Sequence, residues 1–371
     1  MKIIHCFRSP VGGVFRHVRD LLAEQKAANH QVGIICDSTT GNEFENKLFD
    51  TIRDDLDLGL HRLPMTRSIS LMDPFALFKI YRIIKSIEPD IVHSHSAKGG
   101  VYGRISSILT AQKSKKIRSF YCPHGGAMHY DKGSFKGKVY FTVERFLERY
   151  TDSLIFVSNY ERDAYHEKVG KPKCPEKVVY NGLAPQDFQP VEMDENPMDF
   201  MYIGMMRDLK GPDIFLESFK RTRELSGKNL TAMFVGDGED KEKYLQFIQD
   251  NELQDAVQVS PALPARTAFS KAKIIVVPSR AESFPYLVLE AMAAQKPIIC
   301  TDVGGINEIF GNDKNRLIQP ENPEQLADAM LGMINNQSRH DEAKEIALSV
   351  QDRFSLQAMA SSIETIYGIN S

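Results

Sequence analysis

Short apolar runs without alternation recur along this chain, and each is followed by a polar turn and then by a helix-like pattern. The run at residues 273–277 is rich in β-branched side chains, which is typical of a strand buried on both faces of a parallel sheet. A helix is predicted for residues 286–294, with Pro285 at its first turn, where a missing N–H costs nothing. Glu282 is therefore expected at the C-terminal edge of the strand, just before the helix begins.

The beginning of the chain shows the same alternation. Residues 2–6 and 31–36 are predicted strands, and a glycine-containing loop and an amphipathic helix separate them. Such a βαβ order implies a parallel sheet whose ligand crevice lies at the C-terminal ends of the strands. Further strands are predicted at residues 90–93, 115–121, 153–157, 177–180, 199–204, 230–235, 256–259 and 297–300. The expected fold class is therefore α/β with doubly wound parallel sheets.

The chain of 371 residues is long enough for two domains, each with its own core. Residues 184–198 contain several prolines and acidic side chains, a composition that is typical of a linker. We therefore predict one Rossmann-like domain at residues 1–183 and a second at residues 199–352.

The composition narrows the class of protein. Hydrophobic residues make up 42% and charged residues 26%, which is ordinary for a soluble globular protein. The sequence has no apolar run of roughly 18 residues and no signal-peptide pattern, so we expect a cytoplasmic protein rather than an exported two-lobed binding protein. The five cysteines are scattered, as is typical of free thiols in a reducing compartment.

The net charge of −3 hides an asymmetry between the two halves, because residues 1–180 carry a balance of +8 and the remainder −11. A basic half can face anionic lipid, although such charges are more often only a solvated surface. The basic residues of this candidate patch are Lys113, Lys115, Lys116, Arg118, Lys132, Lys136 and Lys138. We find no helix-turn-helix, zinc finger or aromatic–basic interleaving, so nucleic acid is not an expected partner.

Two carboxylates and two cations are the main chemical candidates. Glu290 follows Glu282 by eight residues, which on a helix leaves it about two turns along and roughly 80° off the starting face. Both carboxylates then line a crevice beside free backbone N–H groups, a place that suits a phosphate. Arg207 and Lys210 lie in a loop that follows another predicted strand. The alternative interpretation is that Glu282 caps the helix, that Glu290 is a solvated helix residue, and that Arg207 and Lys210 lie in a solvated basic loop.

Histidines end two of the predicted strands. His93 and His95 are two residues apart on a strand, so they share a face and can bind a metal ion. The favoured interpretation is that they are polar residues at a strand exit beside a crevice. The acidic pairs Asp55/Asp57 and Asp237/Glu239 are likewise interpreted as non-metal residues. No metal ion and no cofactor are therefore expected.

The segment ESFPYLVLEAMAAQKPIICTDVGG, which starts at Glu282, resembles the C-terminal signature of retaining nucleotide-sugar glycosyltransferases of family 4, which have the GT-B fold. The segments PVGGVFRHV, DIVHSHSAKGG and YCPHGGAMHY resemble enzymes that assemble bacterial envelope polysaccharides such as lipopolysaccharide and exopolysaccharide. The resemblance implies two domains that face a cleft, with residues 353–371 forming a last helix that packs on the first domain. It also implies metal-independent transfer from a nucleotide diphosphate-sugar to a saccharide, with retention.

The resemblance assigns roles to particular residues. Arg207 and Lys210 would clamp the diphosphate of the donor, and Glu290 would bind the ribose. Glu282 would bind the sugar and stabilise its oxocarbenium-like centre, and His124 would lie beside the sugar. The remaining implied donor-binding residues are Gly12, Gly13, Phe284, Tyr286 and Leu287.

Other functions stay open at this point. A nucleotide-sugar epimerase has two such domains and binds the same class of ligand, and a non-catalytic sugar-binding scaffold needs only the binding groups. A dinucleotide-dependent dehydrogenase is weakly supported, because Gly12 and Gly13 are not followed by the third glycine of the fingerprint. The acceptor of an envelope glycosyltransferase is commonly carried on a membrane lipid, so reversible docking of the basic half to a membrane is also expected.

Overall fold

The computed structural model describes residues 1–41, 43–111, 116–126, 128 and 130–369. The chain forms two compact units. The first contains Met1–Gly182 together with Leu356–Ser371, and the second contains Leu183–Ser355. In the described part of the chain, no helix combines the length and the hydropathy that a membrane crossing requires.

The first unit is built on a parallel sheet that has seven strands in the described residues, in the order β3-β2-β1-β4-β5-β6-β7. Helices connect successive strands. In chain order the elements are β1 (Lys2–Phe7), α1 (Gly12–Ala27), β2 (Gln31–Asp37), α2 (Glu43–Asp50), β3 (Leu60–Leu63), α3 (Asp73–Ile87), β4 (Ile91–His95), α4 (Ser96–Thr110), β5 (Arg118–Cys122), α5 (Phe135–Leu147), β6 (Ser153–Phe156), α6 (Asn159–Lys168) and β7 (Glu176–Val178).

The second unit is built on a parallel sheet with five strands in the described residues, in the order β10-β9-β8-β11-β12. Its elements are β8 (Met198–Ile203), α7 (Pro212–Ser226), β9 (Ala232–Val235), α8 (Lys241–Asp250), β10 (Val257–Ser260), α9 (Ala265–Phe269), β11 (Ala272–Val277), α10 (Tyr286–Ala293), β12 (Ile298–Cys300), α11 (Ile306–Phe310), α12 (Pro323–Asn335) and α13 (Arg339–Arg353). A last helix, α14 (Leu356–Ile366), belongs to the first unit.

The central strands are buried on both faces, as the apolar runs predicted. In β11, Ile274, Ile275 and Val276 have no exposed surface, although their side chains alternate between the two faces of the sheet. The same holds for Ile3 and Ile4 of β1. Burying a side chain of this size contributes roughly 1.5–3 kcal/mol, so these runs fix which strands occupy the middle of each sheet. The predicted α/β fold class is confirmed.

Several element boundaries differ from the prediction. Pro285 precedes α10 rather than lying in its first turn, and its backbone is extended with φ −74° and ψ 124°. The strand predicted at residues 115–121 begins at Arg118, and Lys115 lies outside the described residues. The strand β3 was missed, because its residues Leu60–Leu63 include a histidine and an arginine and form no apolar run.

The structure assigns residues 184–198, predicted as a linker, to the second unit. Arg266 holds this segment by donating hydrogen bonds to the carbonyl oxygens of Asp187 at 3.0 Å and Gln189 at 2.9 Å. The backbone N–H of Asp194 donates to the Ser270 carbonyl at 2.8 Å. A proline-rich segment thus gains its order from backbone hydrogen bonds, which its composition did not reveal.

Candidate active site

The strand order of the second sheet reverses between β8 and β11. Strands β9 and β10 continue on one side of β8, and β12 continues on the far side of β11. In a doubly wound sheet the loops that follow two such strands diverge and leave a crevice where ligands bind. These loops are residues 204–211 and 278–285. They carry Arg207 and Lys210 on one side and Glu282 on the other.

Lys210 and Glu282 form an ion pair that joins the two loops. Nζ of Lys210 lies 2.6 Å from Oε1 of Glu282, and the hydroxyl of Ser279 donates to the same oxygen at 2.8 Å. The Glu282 side chain is 10% exposed and that of Lys210 26%. An ion pair at this depth is only partly screened by water, so it fixes both side chains. The structure therefore brings together two residues to which the resemblance gave separate roles.

A glycine allows Glu282 to take this position. Gly304 has φ +59°, and a Cβ atom built on it would lie 1.6 Å from the carbonyl oxygen of Glu282. Gly211, with φ +67°, is in the same situation, because its Cβ would lie 2.0 Å from the carbonyl oxygen of Pro278. Both positions require left-handed backbone and close approach of another chain segment, and only glycine provides the two together. The crevice walls thus depend on backbone packing.

Arg207 lies at the same edge of the sheet. Its Nε is 3.0 Å from Oε1 of Glu239, and its side chain is 29% exposed. The loops that carry these residues are held together by their backbones, because Met206 N–H donates to the Asp237 carbonyl at 2.9 Å. The loop after β9, which contains Asp237 and Glu239, therefore packs on the loop that carries Arg207, and Glu239 pairs with Arg207.

Arg280 is a site-forming residue that the sequence reasoning missed. Its guanidinium binds both carboxylate oxygens of Asp213, at 2.8 and 2.7 Å, and its Nε donates to Glu321 at 2.9 Å. It also donates to the carbonyl oxygen of Asp208. The hydrogen bonds that Arg280 donates to Asp213 raise the pKa of Arg280 further above its usual range. Arg280 thus fastens the loop after β8 to the loop after β11, and its charge is used within the protein.

Further predicted donor-binding residues lie on the helix after β11 and just before it. Phe284 and Tyr286 are buried, and the Phe284 ring lies 5.4 Å from that of Phe354. Leu287 and Glu290 are half-buried on α10. The first backbone N–H groups of α10 lie at the positive end of the helix dipole, a position that suits an anion. The structure places these groups beside the loop that contains Glu282.

The first sheet has its own reversal of strand order, between β1 and β4. Gly12 begins α1 with φ +62°, and a Cβ added there would meet no atom within 4 Å, so open space adjoins it.

His124 follows β5 with φ +49°. Glu161 accepts hydrogen bonds from the N–H groups of Gly125 and Val157, and burial raises its pKa to about 7 despite these bonds. Sequence reasoning missed Glu161, which holds the His-Gly turn.

A cluster of five histidines lies at the same end of the first sheet. His93 and His95 share a face of β4 as predicted, with ring centroids 4.1 Å apart. Burial lowers the pKa of His5 and of His17 to about 4, and it lowers the pKa values of the other members well below the usual range. The cluster members are His5, His17, His93, His95 and His124. All five rings are therefore neutral at physiological pH.

Two families match the chain in succession. The model described as "Glycosyltransferase Family 4" matches residues 11–187, and the model described as "Glycosyl transferases group 1" matches residues 184–349. The chain belongs to these glycosyltransferases. The segments at residues 282–305 and in the first 130 residues predicted this family, and the prediction is confirmed.

Relatives of the glycosyltransferase match it along most of its length. An uncharacterized glycosyltransferase of Methanocaldococcus jannaschii is 27% identical over 367 residues, covering 96% of this chain and 94% of that one. The UDP-Gal:alpha-D-GlcNAc-diphosphoundecaprenol alpha-1,3-galactosyltransferase of Escherichia coli is 24% identical and covers 82% of this chain and 81% of its own. Sucrose-phosphate synthase from Thermosynechococcus elongatus, a solved structure, gives a TM-score of 0.79 at 18% identity, covering 99% and 98%. The last comparison confirms the GT-B fold.

Replacing Gly304 by Ala is expected to destabilise the second unit by about 1–3 kcal/mol, because the new Cβ meets the Glu282 carbonyl and left-handed backbone is strained for alanine. Urea unfolding monitored by circular dichroism measures the change. Gly332→Ala is the matched control, since its Cβ would meet nothing within 4 Å and alanine favours the helix α12 by about 1 kcal/mol. Equal stability of the two variants would contradict the packing of Gly304 on Glu282.

Proposed function

We propose that this glycosyltransferase moves a sugar from a nucleotide diphosphate-sugar to a saccharide hydroxyl with retention of configuration. The observation that carries the proposal is the ion pair of Lys210 and Glu282 at the reversal of strand order, with Arg207 at the same edge. Cations beside helix N–H groups suit a diphosphate, and a carboxylate in the same crevice suits a sugar. The galactosyltransferase relative named above takes its sugar from UDP-galactose.

The two cations stabilise the leaving diphosphate. As the bond between the anomeric carbon and the phosphate oxygen breaks, negative charge grows on the departing oxygen. Lys210 and Arg207 are 26% and 29% exposed, so their charges can reach a ligand that replaces water. N–H groups of Tyr286 and Leu287, at the start of α10, add donors, and so does that of Phe284, whereas Pro285 has none. Preorganised charge of this kind acts most strongly where charge develops.

The two carboxylates have different tasks. Glu290 on α10 binds the ribose hydroxyls, and Glu282 binds the sugar and stabilises its oxocarbenium-like centre. The incoming diphosphate gives Lys210 a second anion, so the ammonium holds Glu282 and the phosphate at once. The Ser279 hydroxyl keeps Glu282 in place during this exchange. The fixed position of Glu282 is thus part of the binding site.

Retention follows when the acceptor attacks from the face that the diphosphate leaves. The bond from the acceptor oxygen to the anomeric carbon forms as the bond to the phosphate breaks, and the departing phosphate oxygen takes the acceptor proton. Glu282 then needs no covalent bond to the sugar. The transfer needs no metal ion, because Lys210 and Arg207 supply the positive charge. For His124 and for the Gly12 and Gly13 loop we propose contacts to the sugar, as the family resemblance implies.

Incubation with a panel of radiolabelled uridine and guanosine diphosphate-sugars, without acceptor, tests this function. Slow release of free sugar and nucleoside diphosphate is the expected result, because water replaces the missing acceptor. Conversion of the nucleotide sugar into an epimer would show an epimerase instead. Binding of a nucleotide sugar without any turnover would show a scaffold.

Lys210→Ala and Arg207→Ala are each expected to lower donor turnover by about 100-fold or more, since one preorganised donor contributes roughly 3–4 kcal/mol to the barrier. The rate of donor hydrolysis measures the effect. Lys271→Ala is the matched control, because this half-exposed lysine of the same unit pairs only with Asp194 among the described residues. Near-normal rates in both clamp variants would show that the diphosphate binds elsewhere.

Glu290→Gln is expected to weaken binding of the free nucleoside diphosphate, because it removes charge-assisted hydrogen bonds to the ribose. Glu282→Gln is expected to keep or increase that affinity while turnover falls, since Lys210 loses its competing carboxylate. Isothermal titration calorimetry measures both affinities. The opposite pattern would exchange the roles of the two glutamates.

We further propose that the first unit docks on an anionic membrane surface. At the start of α3, Leu71 is 92% exposed, Phe75 64% and Phe78 58%, and Met72 is exposed beside them. We call Leu71, Met72, Phe75 and Phe78 the α3 patch. Four exposed cations flank it, namely Arg67, Lys79, Arg82 and Lys85. Apolar side chains bordered by cations are typical of helices that lie in a membrane interface. The galactosyltransferase relative acts on a diphosphoundecaprenol-linked acceptor.

The basic patch inferred from the sequence is less favourable. Lys113 and Lys115 lie outside the described residues. Lys116 pairs with Asp152 at 2.6 Å, and Lys132 donates to the Glu167 carbonyl at 2.9 Å. Lys136 and Lys138 are exposed, but the α3 patch adds four exposed apolar side chains to its cations, and a membrane interface accommodates both kinds of group. We therefore take the α3 patch as the docking surface.

The protein is expected to co-sediment with anionic vesicles at low salt and to dissociate as salt rises, because each cation near the surface contributes roughly 1 kcal/mol that salt screens. Replacing Leu71 and Phe75 together by Ser should abolish sedimentation without changing donor hydrolysis. Leu348→Ser is the control, since this leucine of the second unit is also 64% exposed. Equal loss in the control, or no binding by the wild type to anionic vesicles, would refute docking through α3.

A further inference from the structure

Three buried histidines point ring nitrogens at one another in the first unit. His5 of β1 and His93 of β4 are register partners on adjacent strands, and His95 lies two residues further along β4. Nδ1 of His5 is 3.0 Å from Nε2 of His95. One nitrogen from each ring lies within 4.8 Å of the others, and none of the three residues is exposed. Three neutral imidazoles therefore surround one small volume.

The outer nitrogens of the same rings each have a polar partner. Nε2 of His5 lies 2.8 Å from Oε1 of Gln25. Nδ1 of His93 lies 2.7 Å from the Tyr367 hydroxyl, and Nδ1 of His95 lies 3.1 Å from Nε2 of His124. A histidine that binds a metal ion donates its other N–H to a partner of this kind, which fixes its tautomer and its orientation. All three rings meet this condition together.

Among the rings of His5, His93 and His95, hydrogen bonds leave one nitrogen without a partner. Nε2 of His93 is buried and has no hydrogen-bond partner among the described residues. Leaving such a group without a partner is destabilising, because the desolvation of the buried nitrogen is not compensated. If His5 donates to Gln25, its Nδ1 carries a lone pair that faces inward. An ion that accepts lone pairs from His5, His93 and His95 would satisfy all three inner nitrogens at once.

We propose that His5, His93 and His95 bind a single transition-metal ion of the zinc class. Zinc lies about 2.0–2.1 Å from each imidazole nitrogen, so two nitrogens of a tetrahedral site are roughly 3.3 Å apart, close to the separation of His5 Nδ1 and His95 Nε2. Imidazole ligands favour zinc, cobalt, nickel and copper over magnesium and calcium. This site reverses the expectation that His93 and His95 bind no metal.

A second grouping of His17, His95 and His124 competes for the same central ring. We favour the first because its ligands come from two adjacent strands, which hold side chains more precisely than a loop does. His124 lies in a turn and is half-buried. In the favoured site, His95 donates its Nδ1–H to Nε2 of His124. Neutral His124 then carries its proton on Nδ1 and can donate to a sugar hydroxyl, a consequence that rests on the proposed function, whereas the metal site does not.

Metal binding to the full-length protein tests the site without any substrate. Protein purified from cells grown with added zinc is expected to carry a single zinc ion per chain by mass spectrometry. Protein prepared with Co²⁺ should show the intense visible absorption of a tetrahedral site, and Mg²⁺ should neither bind nor compete. Absence of bound zinc together with absence of a Co²⁺ spectrum would overturn the proposal. The rings would then form only a chain of neutral hydrogen bonds from Gln25 to His124.

Four substitutions locate the ion. Tyr367→Phe removes an outer partner and is expected to weaken metal affinity by about 10–100-fold, and His93→Gln, which removes a ligand, by more. His17→Gln should change it little, and so should the control His166→Gln, whose ring pairs with Glu176 in a half-exposed position. Circular dichroism checks that each variant is folded. If His17→Gln lost the ion while Tyr367→Phe kept wild-type affinity, the proposed ligand set would be wrong.

Discussion

The ion pair of Lys210 and Glu282 is the interaction on which the candidate site depends. It joins the loops that follow two adjacent parallel strands, at the point where the strand order of the sheet reverses. The carboxylate is nearly buried, and a buried carboxylate without a cation would be strongly destabilising. The Ser279 hydroxyl and the backbone contact of Gly304 fix the position of Glu282. Glu282 in turn fixes the position of the Lys210 ammonium.

Cations around this crevice divide into two kinds according to their partners. Arg280 is bound on both sides by Asp213 and Glu321, so its charge is neutralised within the protein and serves to connect loops. Lys210 and Arg207 each have one carboxylate partner among the described residues and keep about a quarter of their side-chain surface exposed. A cation that must bind an incoming anion needs such access, because complete neutralisation would leave little attraction for the ligand.

Sequence patterns predicted the features that depend on residues close together in the chain. Apolar runs identified most central strands, and the segment that begins at Glu282 identified the family. The patterns failed where order comes from distant partners. Leu60–Leu63 became a strand through pairing with β2, and residues 184–198 became ordered through hydrogen bonds from Arg266. Arg280 and Glu161 were missed for the same reason, since a lone arginine or glutamate has no spacing that reveals its partner.

The two units differ in the polar groups that lie at the C-terminal ends of their strands. In the second, charged groups keep contact with water, because removing an unpaired charge from water costs far more than hydrogen bonds return. In the first, the imidazoles of His5, His93 and His95 are fully buried, and burial lowers their pKa values, which favours the neutral form. Neutral rings have lone pairs to offer, and charged rings do not. The burial that makes this cluster useless for binding an anion is therefore the property that makes it suitable for holding a metal ion.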